Sequence, residues 1–435
     1  MLTMRCARLL PGARMLPAAA LAACVLGHAG PSRAETLRSV GELEKAAIER
    51  ELSKLDSSAR SLERPLPGRM RSPAIGVRIP NGIGTHEFAA SGALLQGGDP
   101  RSAQVICSGT LIGCSTFLTA AHCFIPGGRH NDPRAWLFDR PEQFQVYLQH
   151  AGIIGVEKIL WPGQGEYVHP TTTGGSRADV AVVKLKSPVT GIAPLPVNRG
   201  AKPQLGTPGL VVGFGRTGGM NHDYGIKRFG EVSLSACTQT FGANLVCWDY
   251  EGLTDTPGKQ VNTCNADSGG GLHVGVDAEV AGVTSGGLKP QCTAGDRSYD
   301  TDVATYLPWI LQAGRDGIGT SACGPLVPVD PTVHVRGDDV ELSDNRPEVT
   351  HTIEVRPGVA VLRVAMNGVD DLSGRNDFDL FVRRGDGHTV CAEDGPGQFA
   401  FCEVADPQPG PWSIVVRRKR GKGLLQLVVT RLPRR

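Results

Sequence analysis

The chain has 435 residues, with 45 Lys and Arg against 43 Asp and Glu for a net charge of +2. A balance this even offers no overall field for nucleic acid or a lipid surface, and the length exceeds one ordinary core, so two or three domains are expected. Its 57 Gly and 31 Pro favour a turn-rich β protein, and its 12 Cys suit an oxidising compartment rather than the cytosol.

Residues 1–34 read as an export signal. Arg5, Arg8 and Arg14 precede an apolar run from Met15 to Leu26, and Ser32-Arg33-Ala34 offers a small-residue cleavage site. The run is too short to span a bilayer. Leu21-Ala22-Ala23-Cys24 also fits a lipoprotein box that would leave the protein anchored through an acylated Cys24. The apolar run continues past Cys24, which favours free secretion. Within residues 35–78 the pattern turns helical from Glu35 to about Leu62. Ser39 and Glu42 form a capping box, and Val40, Leu43, Ala47, Leu52, Leu55 and Leu62 recur mostly at three-, four- and seven-residue steps. The segment ends in Pro65, Pro67 and Pro73 before Val77-Arg78-Ile79-Pro80-Asn81-Gly82. It reads as a propeptide.

Three short stretches carry chemistry. Leu118-Thr119-Ala120-Ala121-His122-Cys123 sets a histidine beside a cysteine, and Asp179 opens the buried-strand run Val180-Ala181-Val182-Val183-Lys184-Leu185. Asn262-Thr263-Cys264-Asn265-Ala266-Asp267-Ser268-Gly269-Gly270-Gly271 wedges a serine between an acid and three glycines. Glycines there let the backbone turn tightly and leave the hydroxyl unshielded. A serine hydroxyl is a weak nucleophile alone and needs a histidine base and an acid to orient that base. Taken singly, a histidine is a surface or core residue and a strand-end aspartate is a cap. Together, in the order His, Asp, Ser, they are a catalytic constellation. These motifs, over about residues 79–315, resemble the trypsin-like (chymotrypsin-fold) serine proteases.

That resemblance implies an all-β fold of two six-stranded antiparallel β-barrels with a C-terminal helix, spanning residues 79–323. It implies that Ser268 attacks a peptide carbonyl, His122 moves the proton, and Asp179 orients the histidine. The amides of Ala266 and Ser268 would hold the oxyanion. Cleavage after Arg78 would free the amine of Ile79 to pair with Asp267. Two residues depart from the family pattern. Pro80 follows the new terminus directly, and Ala266 replaces a usual glycine, where a Cβ restricts the backbone that aims the amide. The pocket base falls on Asn262, with Thr263, Ser285 and Gly287 nearby. The stretch Val283-Thr284-Ser285-Gly286-Gly287 resembles the edge strand to which substrate backbone adds. With no acid at the base and Arg297 counted onto the wall, an uncharged or polar side chain is expected in the pocket, with weak activity on Arg and Lys. Disulfides Cys107–Cys123, Cys237–Cys247 and Cys264–Cys292 are implied as well. No cofactor is required for such chemistry. Protein or peptide substrates and an activating protease are the implied partners; nucleic acid is not one, and a monomer is expected.

Gly324 to Pro331 is Pro-rich, so residues 324–335 read as a linker to a separate β unit at 336–435. Apolar runs there (351–355, 359–365, 378–382, 412–416 and 424–429) alternate with Gly, Pro and Asp turns. Asp377 to Gly385, Cys391, Cys402 and Gly410 to Val416 resemble the bacterial pre-peptidase C-terminal domain, a small jelly-roll-like β-sandwich. Cys391–Cys402 would staple a hairpin in it. Such a tail is expected to be dispensable for chemistry. Cys114 and Cys323 then remain, either paired with each other or left as two free thiols; pairing suits an exported chain. Asp370, Asp371, Asp377 and Asp379 are turn acids or, on a second reading, ligands for Ca²⁺ centred on Asp377 and Asp379. Arg417 to Lys422 reads as a charged hairpin tip, with an anionic-polymer site the less favoured reading. The alternative to an active endopeptidase is a weak or inactive homologue acting as a binding protein, favoured only by Ala266 and Pro80.

Overall fold

A computed structural model describes residues 80–98, 102–127, 129–171, 174–276, 278–369 and 376–435. The signal, Cys24, the propeptide, Arg78, Ile79, Asp370 and Asp371 lie outside the described residues.

The described chain opens with β1 (Ile83–Gly84), then enters a first barrel: β2 (Ser91–Gln96), β3 (Gln104–Gly113), β4 (Thr116–Thr119), β5 (Phe144–Leu148) and β6 (Gly152–Leu160). A small hairpin, β7 (Val168–Thr171) and β8 (Gly175–Arg177), precedes its last strand, β9 (Ala181–Leu185). The six barrel strands close in the order β2-β3-β4-β9-β6-β5. Strands β4 and β9 carry Phe117, Leu118, Val182 and Val183, all buried. Such apolar, partly β-branched strands hold a register because a one-residue slip would turn the whole apolar set outward. The second barrel runs β10 (Pro208–Gly213), β11 (Arg228–Ser235), β12 (Leu245–Tyr250), β13 (Gly271–Val274), β14 (Glu279–Gly287) and β15 (Asp296–Asp302). It closes through the β11–β12 pairing, with β1 added beside β11. Helix α1 (Val303–Gly314) follows at once, capped by the Asp302 carboxylate, which accepts from the amides of Ala304 and Thr305. This is the two-barrel architecture expected from the sequence.

The C-terminal strands are β16 (Val335–Leu342), β17 (Glu348–Val355), β18 (Val359–Gly368), β19 (Asp377–Arg384), β20 (Thr389–Glu393), β21 (Phe399–Ala405), β22 (Gly410–Arg420) and β23 (Gly423–Pro433). They form two four-stranded antiparallel sheets, β16-β23-β18-β21 and β17-β22-β19-β20. That order is a jelly roll. Strand β17 shows why the sandwich forms: Val349, Ile353 and Val355 are buried while Glu348, Thr350, Thr352 and Glu354 face water.

Strands β18 and β23 behave differently, being buried on both faces. Leu362, Val364, Met366, Leu425, Leu427 and Val429 fill the sandwich core. The alternate residues Ala365 and Val428 join Tyr147, Phe214 and Phe399 in an apolar cluster that reaches Ala266. Polar residues on the same face form a hydrogen-bonded network. Asn367 accepts from the Tyr147 hydroxyl (3.1 Å) and Gln149 Nε2 (2.9 Å), and donates to the Gly225 carbonyl and Gln426 Oε1 (2.8 Å each). Gln426 Nε2 donates to the carbonyls of Thr85 and Lys227 (3.1 Å each), while its Oε1 accepts from the Lys227 amide (2.8 Å). The Lys227 ammonium caps the carbonyls of Glu87 and Phe88. The jelly roll therefore grips the first residues of the peptidase chain and the second barrel together. The segment 324–335 is also ordered against both units: Val329 donates to Gly191, Val327 donates to Pro433, and Pro331–His334 forms a helical turn. The expectation of a dispensable tail meets an interface that would strand buried polar groups if the tail were removed.

Five disulfides join Cys107–Cys123, Cys114–Cys323, Cys237–Cys247, Cys264–Cys292 and Cys391–Cys402. Cys114 and Cys323 are thus not free thiols, and their bond ties the first barrel to the chain beyond α1. Asp379 is buried 3.5 Å from the Lys419 ammonium. Asp377 accepts from the Gly397 amide at 3.3 Å. Among the described residues no three metal-ligating side chains converge at this pair. At the hairpin tip Arg417 pairs with Glu348 and Arg418 with Asp344.

Asn367→Leu should leave several buried donors and acceptors without partners, at about 1–3 kcal/mol for each. Thermal denaturation of the full chain is expected to show a clear drop in Tm. A chain ending after Cys323 should fail to accumulate as folded, monodisperse protein by size-exclusion chromatography and circular dichroism.

Candidate active site

His122 sits in a short 3-10 turn at the end of the first barrel (Ala121–Phe124), pinned by the Cys107–Cys123 bond. Asp179 lies just before β9 and is fully buried. Its Oδ2 lies 2.8 Å from His122 Nδ1, and its Oδ1 accepts from the His122 amide at 2.8 Å. The same carboxylate accepts from Ser285 Oγ at 2.5 Å, and Ser285 also meets Ser176 Oγ at 2.8 Å. Burial pushes the Asp179 carboxyl up, but the charge of His122 and the hydrogen bonds from His122 and Ser285 outweigh it and hold the group below its ordinary value. Asp179 is therefore ionised at neutral pH. It fixes the Nδ1–H tautomer, which leaves Nε2 as the basic nitrogen.

Ser268 shares a cavity of about 210 Å³ with His122, walled by Thr263, Cys264, Ser285, Gly286, Gly287 and Asp296. A second cleft of about 400 Å³, lined by Gln104, Leu137, Tyr224 and Ala266, opens onto the same two residues. Among the described residues the Ser268 hydroxyl makes no hydrogen bond; catalytic contacts are often loose without substrate and tighten when it binds. The loop that carries Ser268 is held from below. Ser108 Oγ donates to the Ala266 carbonyl (2.8 Å) and accepts from the Phe214 amide (2.9 Å), and the Ser108 amide donates to the Ser268 carbonyl (2.8 Å). Gly269 has φ +83°, and a Cβ there would fall 2.1 Å from Thr119 Oγ1. Only glycine fits.

Ala266 adopts φ +70° despite its Cβ. The sequence expectation was that this methyl would restrict the backbone. Instead the methyl is buried in the cluster of Tyr147, Phe214, Tyr224 and Phe399. Among the described residues neither the Ala266 nor the Ser268 amide meets a protein acceptor. Asp267 is buried, its oxygens accepting from the amides of Gly215 (2.7 Å) and Cys264 (2.9 Å). Burial raises its pKa to about 7 against those bonds and the nearby Arg228 charge. Cβ atoms at Gly213 or Gly215 would lie 2.2 or 2.4 Å from its carboxyl group, so those glycines make room for it.

Thr263, Ser285 and Gly287 line the cavity, whereas Asn262 lies fully buried behind it. Arg297, expected on the pocket wall, turns away: Nε donates to Asp249 Oδ1 at 2.6 Å and Nη1 to Thr238 Oγ1 at 3.0 Å. Residues the sequence reading missed are Ser108, Ser176 and Asp296. Each acts through a neighbour that is distant in sequence, so no local motif marks it.

The two barrels thus meet at a serine, a histidine and a buried aspartate. The trypsin family profile matches residues 83–310, just over half of the chain, and the protein belongs to that family of serine proteases. It is 28% identical over 245 residues to snake venom serine protease rhinocerase 4 of Bitis rhinoceros, covering 52% of this chain and 83% of that one. It is 28% identical over 232 residues to chymotrypsin-like elastase family member 1 of Rattus norvegicus, covering 47% and 77%. Among solved structures, neuropsin, a serine protease of mouse brain, aligns with a TM-score of 0.41 and 22% identity over 53% of this chain and 97% of its own.

Ala266→Gly should be close to neutral. It removes a left-handed-backbone cost of about 1–2 kcal/mol. It also removes about 0.8 kcal/mol of methyl burial and adds roughly 0.4–1 kcal/mol of unfolded-state entropy. Tm within a few degrees and kcat/KM within about threefold are expected; a large gain in either would show that the alanine is strained.

Proposed function

We propose that the protein is a secreted serine endopeptidase, made as a zymogen and activated by cleavage between Arg78 and Ile79. The observation that carries the reading is the contact between His122 Nδ1 and the buried Asp179 carboxylate at 2.8 Å, in a cavity that His122 shares with Ser268. In this mechanism His122 Nε2 takes the Ser268 proton as Oγ attacks the peptide carbonyl. The amides of Ala266 and Ser268 stabilise the oxyanion, and His122 returns the proton to the leaving amine. Water then repeats the sequence to release the acyl group. Five disulfides and the apolar leader support export.

The activation step draws support from the start of the described chain. The Pro80 carbonyl accepts from the Asn262 amide at 3.1 Å, five residues before Asp267, so the chain begins beside the loop that would receive its amine. A buried carboxylate without a cation is costly, and a freed amine supplies one.

Ser268→Ala should lower peptide hydrolysis by about 10⁶-fold while leaving the fold intact. Labelling of the wild type by a fluorophosphonate probe, with none in the variant, would accompany it. Failure of wild-type protein to label after activation would favour the binding-protein alternative.

The raised Asp267 pKa gives a second test. In the uncut chain the folded state keeps this proton longer than the unfolded state, so stability falls as pH rises from about 4 to about 7. Pairing with a freed amine removes that loss. The Arg78→Gln zymogen should therefore lose Tm between pH 4 and pH 7 relative to activated enzyme, and Asp267→Asn in the zymogen should flatten the difference. N-terminal sequencing of active protein should return Ile-Pro-Asn-Gly.

A further inference from the structure

One end of the jelly roll carries a cavity that the peptidase chemistry leaves unused. It has a volume of about 750 Å³ and lies between the helical turn Pro331–His334, the start of β16, the β17–β18 turn and the end of β23. None of its lining residues belongs to the two clefts around Ser268. Arg336, Arg356 and Arg431 line it, against a single carboxylate, Glu354. The register of β17 with β22 sets Glu348 against Arg417 and Val355 against Gly410. The cavity is therefore at the opposite end of the sandwich from the Arg417 to Lys422 hairpin tip.

The two basic clusters differ in how they are paired. At the tip, Arg417 and Arg418 each have an acid of their own. In the cavity only Arg336 does: its Nε pairs with Asp338 Oδ2 at 2.9 Å, while Nη1 donates to the Thr352 carbonyl at 3.2 Å. Arg431 Nε donates to the Glu354 carbonyl at 3.2 Å. Among the described residues Arg356, Arg431 and the Glu354 carboxylate make no ion pair, and Arg356 is exposed. Burial, and then the charges of Arg336 and Arg356, hold the Arg431 pKa below its ordinary value. Crowded like charges disfavour one another unless an anion stands between them.

Hydrogen-bonding character narrows the ligand. The arginines offer donors only, and the β17 carbonyls of Thr352 and Glu354 already accept from Arg336 and Arg431. A peptide strand needs acceptors for its own N–H groups and is poorly served there. A sulfate or phosphate ester presents acceptors alone and matches the planar guanidinium fork. Ile353, Pro357, Val359 and Pro433 add apolar surface for the carbon face of a sugar. No Phe, Tyr or Trp among the described residues lines the cavity, so a nucleic-acid base lacks its usual stacking platform.

We propose that this cavity binds an anionic saccharide, a short glycan bearing sulfate or phosphate esters, through Arg336, Arg356 and Arg431. Its volume is that of a small-ligand site. A glycan bound there holds the enzyme on an anionic polymer while the clefts around Ser268 stay open.

Calorimetry on the full-length Ser268→Ala chain, chosen to prevent self-digestion, tests this with maltotetraose in three forms: sulfated, phosphorylated and unmodified. One or both esters should bind, the stronger naming the ester, and the unmodified sugar should not. Arg356→Gln should weaken the ester by about 10-fold, the scale of one hydrogen bond to a charged group. Arg417→Gln with Arg418→Gln should leave the affinity unchanged. In otherwise wild-type activated enzyme, Arg356→Gln should leave kcat/KM for a short peptide unchanged as well. Comparison of the esters with the unmodified sugar needs no variant in the cavity, so it stands even if Arg356→Gln misfolds. Equal binding of the unmodified sugar, or no binding of either ester, overturns the proposal. So does tighter binding of inorganic pyrophosphate or an oligothymidylate, or a loss of affinity in the tip variant in place of Arg356→Gln.

Discussion

Asp179 is the point at which the peptidase is tied together. A carboxylate removed wholly from water is tolerable only when donors surround it, and those here come from different parts of the fold. His122 supplies its ring and its amide from the end of the first barrel, and Ser285 supplies a hydroxyl from β14 of the second. Thr301 of β15 donates to the Asp179 carbonyl, and Tyr306 of α1 accepts from the amide of Ala178, which sits at φ +54°. Shifting either barrel or the helix would leave a charge underbonded. The alignment of His122 and the cohesion of the domain therefore have one physical origin.

The loop from Asn262 to Gly271 shows the same economy at smaller scale. Its acid, Asp267, is accommodated by two glycines of the second barrel's first strand and the turn beyond it, and its serine carbonyl is gripped by Ser108 from the first barrel. Ala266 occupies a left-handed position that glycine would fill at lower backbone cost, yet its methyl is covered by aromatic rings that connect to the jelly roll. Backbone strain and side-chain burial offset each other there.

The jelly roll is part of the same packing problem. Its β18 and β23 have no solvent face, because one side of each fills the sandwich and the other meets the peptidase. Asn367 and Gln426 satisfy their side-chain groups across that contact, and so many directional bonds favour one docking geometry. Gly84 to Phe88, the run that follows the proposed new terminus, is held inside it by Gln426 and Lys227. The terminal domain thus bears on the segment whose release is proposed to complete the active site.

The sequence by itself pointed to two barrels, through motifs around His122, Asp179 and Ser268 that resemble the trypsin-like proteases, and to a C-terminal β-sandwich through its spaced apolar runs. These are local signals: apolar strand runs, glycines where the backbone crowds, and a serine set between an acid and three glycines. Even the buried runs of β18 and β23 are visible as apolar stretches broken once each by Arg363 and Gln426, although not what covers them. Tertiary structure alone decided the pocket's charge and the role of the tail. Whether Asp296 or Arg297 faces the pocket depends on the register of β15, and a single residue of register inverts the answer because successive side chains point to opposite faces. Polar groups such as Asn367 and Gln426 look like surface residues in sequence; only the opposing peptidase unit, 142 to 341 residues away along the chain, supplies the partners that make their burial favourable.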